Sequence, residues 1–231
     1  MPAAPVTTHR MTGIVPAVLI RPLAVDGAFE VVPRQFDDSR GTFFEWFKAT
    51  SFTAALGHGL ELQQANASVS AAGVLRGVHF ADVPPGQAKY VTCLTGSVFD
   101  VAVDVRLGSP TFGRWDAVLL DDVDRRAVYL SEGLGHAFLS LQDNSTVVYF
   151  CSTGYAPKRE HAVNPLDPAL SIDWPNTSRD GSELTLRLSD KDAAAPTLDQ
   201  ARLTGQLPEV AACVARREVL LQNGRRRKTT G

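Results

Sequence analysis

No stretch of about 20 consecutive apolar residues occurs in the 231-residue chain, so the sequence offers no membrane-spanning helix. The first residues, MPAAPVTTHRMTG, lack the long apolar centre of a secretory signal. Cysteine is scarce, with only Cys93, Cys151 and Cys213. An odd, small number does not make a disulfide scaffold, and it predicts reduced thiols in a cytoplasmic protein. The five histidines, at positions 9, 58, 79, 136 and 161, form no H-x-H pair, and no CxxC exists. The expectation is therefore no catalytic metal, although His79 and His136 could still meet in space. GxGxxG, GxxxxGK[ST] and GxSxG are also missing, which removes support for a dinucleotide cofactor, a P-loop and a hydrolase elbow. Net charge is only −2, which argues against a protein built to grip nucleic acid. One basic run, Gly224 to Lys228, stands alone near the C-terminus and reads as a solvated, frayed end.

What is present is a chain long enough to bury a sizeable core, with 44% apolar residues. Residues 1–17, rich in Ala, Pro and Thr, read as a loose N-terminal extension. Residues 18–208 read as the folded domain, and 209–231 as a C-terminal helix with a basic tail. The clearest strand runs from Ser97 to Arg106. It sets Phe99, Val101, Val103 and Val105 on one face and Val98, Asp100, Ala102 and Asp104 on the other, the period-2 pattern of a strand with one face in a core. Further strands are expected at 29–32, 41–47, 64–70, 74–80, 88–94, 114–120, 127–130, 137–141 and 146–152. Their regular spacing, mostly without intervening helices, predicts an antiparallel all-β sandwich or barrel. A short helix is expected over 50–57 and another over 192–204. An amphipathic helix is expected from Pro208 to Asn223, with Gly224 just past its end.

Several segments could carry chemistry, and each has a plainer reading. In Val74–Phe80, Arg76 and His79 would point to opposite faces of a regular strand; a bulge at Gly77 would turn both toward one cavity. Otherwise they are a surface arginine and a hydrogen-bonded histidine. Lys89 shares a face with Val91 and Cys93, where it either meets an oxyanion or sits at a rim with its head in water. Tyr149 and Tyr155 read equally as core tyrosines with one hydroxyl bond. His136 is open in the same way.

In sequence order, eight blocks resemble the dTDP-4-dehydrorhamnose 3,5-epimerases and their relatives in antibiotic deoxysugar pathways. They are 38–45 (DSRGTFFE), 64–68 (QANAS), 73–80 (GVLRGVHF), 86–89 (GQAK), 103–113 (VDVRLGSPTFG), 129–138 (YLSEGLGHAF), 167–175 (DPALSIDWP) and 188–192 (LSDKD). The resemblance implies an all-β, cupin-type jelly-roll fold with short C-terminal helices. It implies a homodimer, no organic cofactor and no metal. The substrate it implies is a dTDP-linked 4-keto-6-deoxy sugar, with neither nucleic acid nor membrane as partner. His79 matches the family's general base, Asp192 its orienting carboxylate, Lys89 the group that steadies the developing oxyanion, and Tyr149 the general acid on the opposite sugar face. Gln64, Asn66 and Arg76 match residues around the pyrophosphate and sugar, with His136 near the base. Tyr155 matches a nucleotide-side residue. Arg40, Phe43 and Glu45 match residues that an N-terminal strand delivers to the partner subunit. The sequence departs from the family at 133–138, which reads Gly-Leu-Gly-His-Ala-Phe where many members have Ala-His-Gly-Phe. It also departs at a variable insertion over 176–185.

Three functions are compatible with these residues: epimerisation at both C3 and C5, epimerisation at one of them, and non-catalytic binding of the nucleotide sugar on the same fold. A keto-isomerase would use a similar histidine but move the ketone. A pure binder needs the phosphate-side arginines but not His79, Asp192, Lys89 and Tyr149 together, so the set favours an enzyme.

Overall fold

The alternation read along the middle of the chain is realised as strands in the computed structural model, which describes residues 18–229. The extension expected over 1–17 lies outside the described residues. In chain order the strands are β1 (Val18–Pro22), β2 (Ala28–Pro33), β3 (Gln35–Asp38), β4 (Gly41–Phe44), β5 (Gln64–Ser70), β6 (Leu75–Ala81) and β7 (Lys89–Thr95). They continue as β8 (Ser97–Val103), β9 (Trp115–Asp121), β10 (Ala127–Leu130), β11 (Gly135–Ser140), β12 (Ser145–Cys151) and β13 (Glu160–Ala162). The helices are α1 (Ala49–Leu56), α2 (Asp190–Ala193), α3 (Leu198–Leu203) and α4 (Val210–Thr229). Among the described residues, no helix is long and apolar enough to cross a membrane.

Two antiparallel sheets form a sandwich. One has the order β1-β2-β10-β7-β12-β5, the other β13-β6-β11-β8-β9, and β3 and β4 form a separate hairpin. Apart from β1–β2 and β8–β9, strands paired within the two sheets are not consecutive in the chain, as in the expected jelly roll. The inner faces meet in one core. Val91, Cys93, Val128, Leu130 and Val147 from the six-stranded sheet pack against Val98, Ala102, Val118, Leu120 and Phe138 from the five-stranded one.

The strand beginning at Ser97 differs from its reading in two respects: it ends at Val103 rather than Arg106, and both of its faces are buried. Val101, Val103 and Val105 pack outward against Val163, Leu170, Leu198, Ala201 and Leu207, because the C-terminal segment folds over this sheet as a third layer. The six-stranded sheet is covered on its outer face by α1 and an aromatic group around Tyr90 and Tyr129, with Phe52 edge-on to Tyr129 at 4.9 Å. Such pairs contribute about 0.5–1.5 kcal/mol beyond area burial.

The helices differ from the reading at two points. The stretch 192–204 is two short helices, each with its own cap. Ser189 caps α2 and Thr197 forms a capping box with Gln200 on α3. The helix expected to stop before Gly224 instead runs through it to Thr229. A Cβ at Gly224 would lie 2.5 Å from the Gly57 carbonyl oxygen, so this glycine allows α4 to approach the end of α1 closely rather than ending the helix. Arg225 and Arg226 of the basic run are therefore helical and exposed. Strands β1, β3 and β13 carried no legible pattern. β1 buries only Val18, β3 is mostly polar, and β13 has three residues.

Candidate active site

At one end of the sandwich the inner faces become polar and part around a cavity of about 220 Å³. It is lined by Gln64, Asn66, His79, Gln87, Lys89, Tyr149, Tyr155, Glu160, His161 and Lys191. Strand alternation selects these side chains. On β12 the inward positions read Val147, Tyr149, Cys151, and on β7 Lys89, Val91, Cys93, so the same face that builds the core builds the site one or two residues further along. The register pairs Lys89 and Gln64 with Cys151, and Asn66 and Val91 with Tyr149.

His79 reaches the cavity from the opposite sheet through a bulge at Gly77. The β6–β11 register shifts by one residue between the His79–His136 and Arg76–Phe138 pairs. Two residues, Gly77 and Val78, therefore face Ala137, which turns Arg76 and His79 to the same side. Gly77 has φ +117°, and a Cβ there would sit 2.5 Å from the His136 carbonyl oxygen, so no other residue fits without displacement.

The carboxylate for His79 comes from 113 residues away. His79 Nε2 lies 2.6 Å from Asp192 Oδ1. Asp192 sits at the third position of α2, where the capping Ser189 hydroxyl accepts from its backbone N–H and donates to its Oδ2 at 3.0 Å. Burial pushes the Asp192 carboxyl up, but the hydrogen bond and charge of His79, the Ser189 hydroxyl and the Gly77 backbone outweigh it and hold the group below its ordinary value.

Lys89 and Tyr149 face this pair. Burial pulls the Lys89 ammonium below its ordinary value, partly offset by Cys151, Glu160 and Asp100. Burial raises Tyr149, and Cys151 adds to the rise while the Asn66 hydrogen bond opposes it. At the mouth, Tyr155 N–H donates to Gln64 Oε1 at 2.8 Å, and Gln64 Nε2 donates to Asn66 Oδ1 at 2.8 Å. Asn66 Nδ2 in turn approaches Cys151 Sγ at 3.7 Å. The three cysteines are buried and unpaired.

The structure brings together seven of the expected residues: Gln64, Asn66, His79, Lys89, Tyr149, Tyr155 and, behind His79, Asp192. Arg76 stands at the border, its Nε donating to Ser70 Oγ at 3.2 Å. His136 is a cross-strand neighbour of His79 but does not line the cavity. It is buried, with Nε2 2.8 Å from Asp100 Oδ2. Arg40, Phe43 and Glu45 lie elsewhere, in and just after the β3–β4 hairpin. The Arg40 side chain is 88% exposed beside Asp38, Phe43 is 66% exposed, and Glu45 pairs with Lys48.

Sequence reading missed Gln87, Glu160, His161, Lys191 and Asp100. Asp100 carried a signal, an acid among apolar neighbours on the inward face of its strand. Lys191 adjoins Asp192 in a matched block. Glu160 and His161 lie on a strand too short for any pattern, and only folding brings His161 to within 2.7 Å of Asp82. Among the described residues, no cluster of three His, Cys, Asp or Glu side chains is arranged to hold a metal ion.

A family model, dTDP-4-dehydrorhamnose 3,5-epimerase, matches residues 22–200. The dTDP-4-dehydrorhamnose 3,5-epimerase of Mycolicibacterium smegmatis is 59% identical over 203 residues, covering 88% of this chain and 97% of that protein. Among solved structures, the rmlC epimerase of Mycobacterium tuberculosis superposes with a TM-score of 0.83 at 55% identity, covering 87% of this chain and 99% of that one. ChmJ, a 3'-monoepimerase from Streptomyces bikiniensis in complex with dTDP-quinovose, superposes with a TM-score of 0.82 at 49% identity, over 87% and 98% of the two chains. A cavity with this histidine–aspartate pair opposite a lysine and a tyrosine thus stands on a fold shared with these enzymes, and the chain belongs to the dTDP-4-dehydrorhamnose 3,5-epimerase family.

Proposed function

We propose that the chain epimerises dTDP-4-keto-6-deoxyglucose at C3 and C5, with His79 as base and Tyr149 as acid. The observation that carries this reading is the 2.6 Å His79–Asp192 pair across one cavity from Lys89 and Tyr149. The C4 ketone acidifies the C–H bonds at C3 and C5, provided the enolate oxygen is stabilised. Lys89 supplies a fixed ammonium for that oxygen, and contacts of this kind are worth about 2.7–4 kcal/mol in a transition state. With Nε2 donating to Asp192, His79 Nδ1 is left to take the proton, and Asp192 steadies the imidazolium that forms. The C–H electron pair becomes the enolate. The Tyr149 hydroxyl then returns a proton to carbon from the other face, so the centre inverts, and solvent restores both groups. The scheme uses no metal and no organic cofactor. Family membership and 59% identity to a 3,5-epimerase support action at both carbons.

A second reading, inversion at C3 alone, draws on the similarity to a 3'-monoepimerase. The same His79 would act, so the test must report on each carbon. The protein is incubated with dTDP-4-keto-6-deoxyglucose in heavy water and the C3 and C5 protons are followed by NMR. Wash-in at both carbons is expected; wash-in at C3 alone selects the second reading; no exchange by folded protein removes both.

The third element of the proposal is a homodimer in which the β3–β4 hairpin serves the neighbour's site. It is supported by the exposure of Arg40 and Phe43 and by their absence from their own subunit's cavity. Mixing an Arg40→Ala chain with a His79→Ala chain should restore activity through hybrid sites. No restoration would count against the shared site.

A further inference from the structure

The hairpin is held at its base and free at its tip. Its ladder runs Gln35↔Phe44, Phe36↔Phe43, Asp37↔Thr42 and Asp38↔Gly41. Both members of the first pair rest on one turn, residues 122–126 between β9 and β10. Gln35 Nε2 donates to the Val123 carbonyl at 2.7 Å, and the Arg125 guanidinium lies 5.3 Å from the centre of the Phe44 ring. The turn is itself constrained. Asp121 Oδ1 accepts from the backbone N–H of Val123 and of Asp124 at 2.9 and 2.7 Å. Arg125 has φ +57°, a left-handed conformation in which its Nη1 donates to the Leu94 carbonyl at 2.9 Å. Its Nε is buried without a hydrogen-bond partner. A buried N–H left without an acceptor is costly. Arg125 keeps this arrangement with its charge over the Phe44 ring, an interaction that favours arginine. The tip, by contrast, touches nothing at Gly41, where an added Cβ would meet no atom within 4 Å.

We propose that Arg125 is a positioning residue for nucleotide-sugar binding: with Gln35 it fixes the direction in which the β3–β4 hairpin leaves its own subunit, and so where Arg40 and Phe43 arrive. This rests on the reading that the hairpin completes a neighbouring site. Arg125 lies outside the cavity of its own chain and would act only through Phe44. Its removal should therefore weaken nucleotide binding and leave the chemical step alone.

The experiment compares Arg125→Gln, Arg125→Lys, Gln35→Ala and Arg40→Ala in the full chain, by dTDP affinity and by kcat and KM. Loss of one cation–ring contact should raise Kd for dTDP and KM roughly 3- to 10-fold in Arg125→Gln, with kcat within about twofold. Arg125→Lys, which keeps a cation over the ring, should lie nearer the wild type. Gln35→Ala removes the other anchor and should raise Kd in the same direction, so the proposal stays testable if Arg125→Gln folds poorly. Wild-type dTDP affinity in both Arg125→Gln and Gln35→Ala, with Arg40→Ala weakened, would overturn the positioning role while sparing the hairpin reading. Equal loss of kcat in the Gln and Lys variants, with KM unmoved, would also overturn it, as a purely structural effect. Unchanged affinity in Arg40→Ala would remove the hairpin reading and this proposal together.

Discussion

Two histidine–carboxylate pairs stand side by side across the β6–β11 ladder, His79 opposite His136, and they differ mainly in access. In the first, the His79 side chain is 37% exposed and opens on the cavity, while Asp192 behind it is 6% exposed. In the second, His136 is 8% exposed and Asp100 is fully buried, and Asp100 Oδ1 has no hydrogen-bond partner. Their carboxylates also come from different places. Asp100 is on the strand next to β11, whereas Asp192 arrives on a capped turn from the C-terminal segment. An imidazole that must trade a proton with substrate and then with solvent needs an open nitrogen. One enclosed in the sandwich with a buried acid ties two strands together. Residue type alone does not separate these tasks; burial does.

The comparison can be broken most directly at His79. His79→Ala should lower solvent-deuterium exchange into the sugar by roughly 10²–10⁴-fold, the usual range for a positioned acid–base group, while thermal unfolding changes little. His136→Ala should do the reverse in emphasis. It leaves the buried Asp100 carboxylate without its hydrogen-bond partner, at a cost of about 1–3 kcal/mol, which calorimetry should read as a fall in Tm of roughly 2–12 °C. If His136→Ala proves as stable as wild type and as inactive as His79→Ala, the division between the pairs is wrong.

Gly77 sharpens the comparison because it touches both pairs. Gly77→Ala puts a Cβ against His136 and Ala137 at a positive φ, a strain of about 1–3 kcal/mol before any clash. Activity and Tm should fall together. A variant that loses stability but keeps full activity would show that the bulge is not what aims His79.

The smallest effect is in pH dependence. In the proposed scheme Lys89 must hold its proton to stabilise an enolate, and burial lowers its pKa, whereas burial raises that of Tyr149. Activity should therefore fall on the alkaline side as Lys89 deprotonates, below the ordinary lysine value and before Tyr149 ionises. Stability should move the other way. Between the folded and unfolded values of Lys89 the unfolded chain binds more protons, so the Lys89 contribution to stability rises with pH. An NMR titration of Nζ-labelled lysine, set beside a kcat profile, would check both. An alkaline limb that follows a tyrosine ionisation instead would exchange the roles assigned to the two groups.

Much of this arrangement was legible in advance. The period-2 face of the strand beginning at Ser97 and the strand over Gln64–Ser70 are local signals that became strands as expected, and the glycine between Arg76 and His79 became the bulge that one of its two readings offered. The matched blocks supplied Asp192, which no local pattern could join to His79. The stop expected at Gly224 failed because glycine ends a helix only when nothing else requires its small size, and here the Gly57 carbonyl does. The two-sided burial of β8 was not legible because the segment that covers its outer face begins about sixty residues later.

The sequence by itself determined the all-β sandwich, the family and the residue types of the set proposed to transfer protons, because strand alternation, turn chemistry and the matched blocks are written in neighbouring residues. Only the tertiary structure decided how far each histidine is exposed, that Asp100 meets His136, and which way the hairpin points. Those depend on cross-strand register and on the docking of the C-terminal segment, and both are set by contacts between residues far apart in the chain.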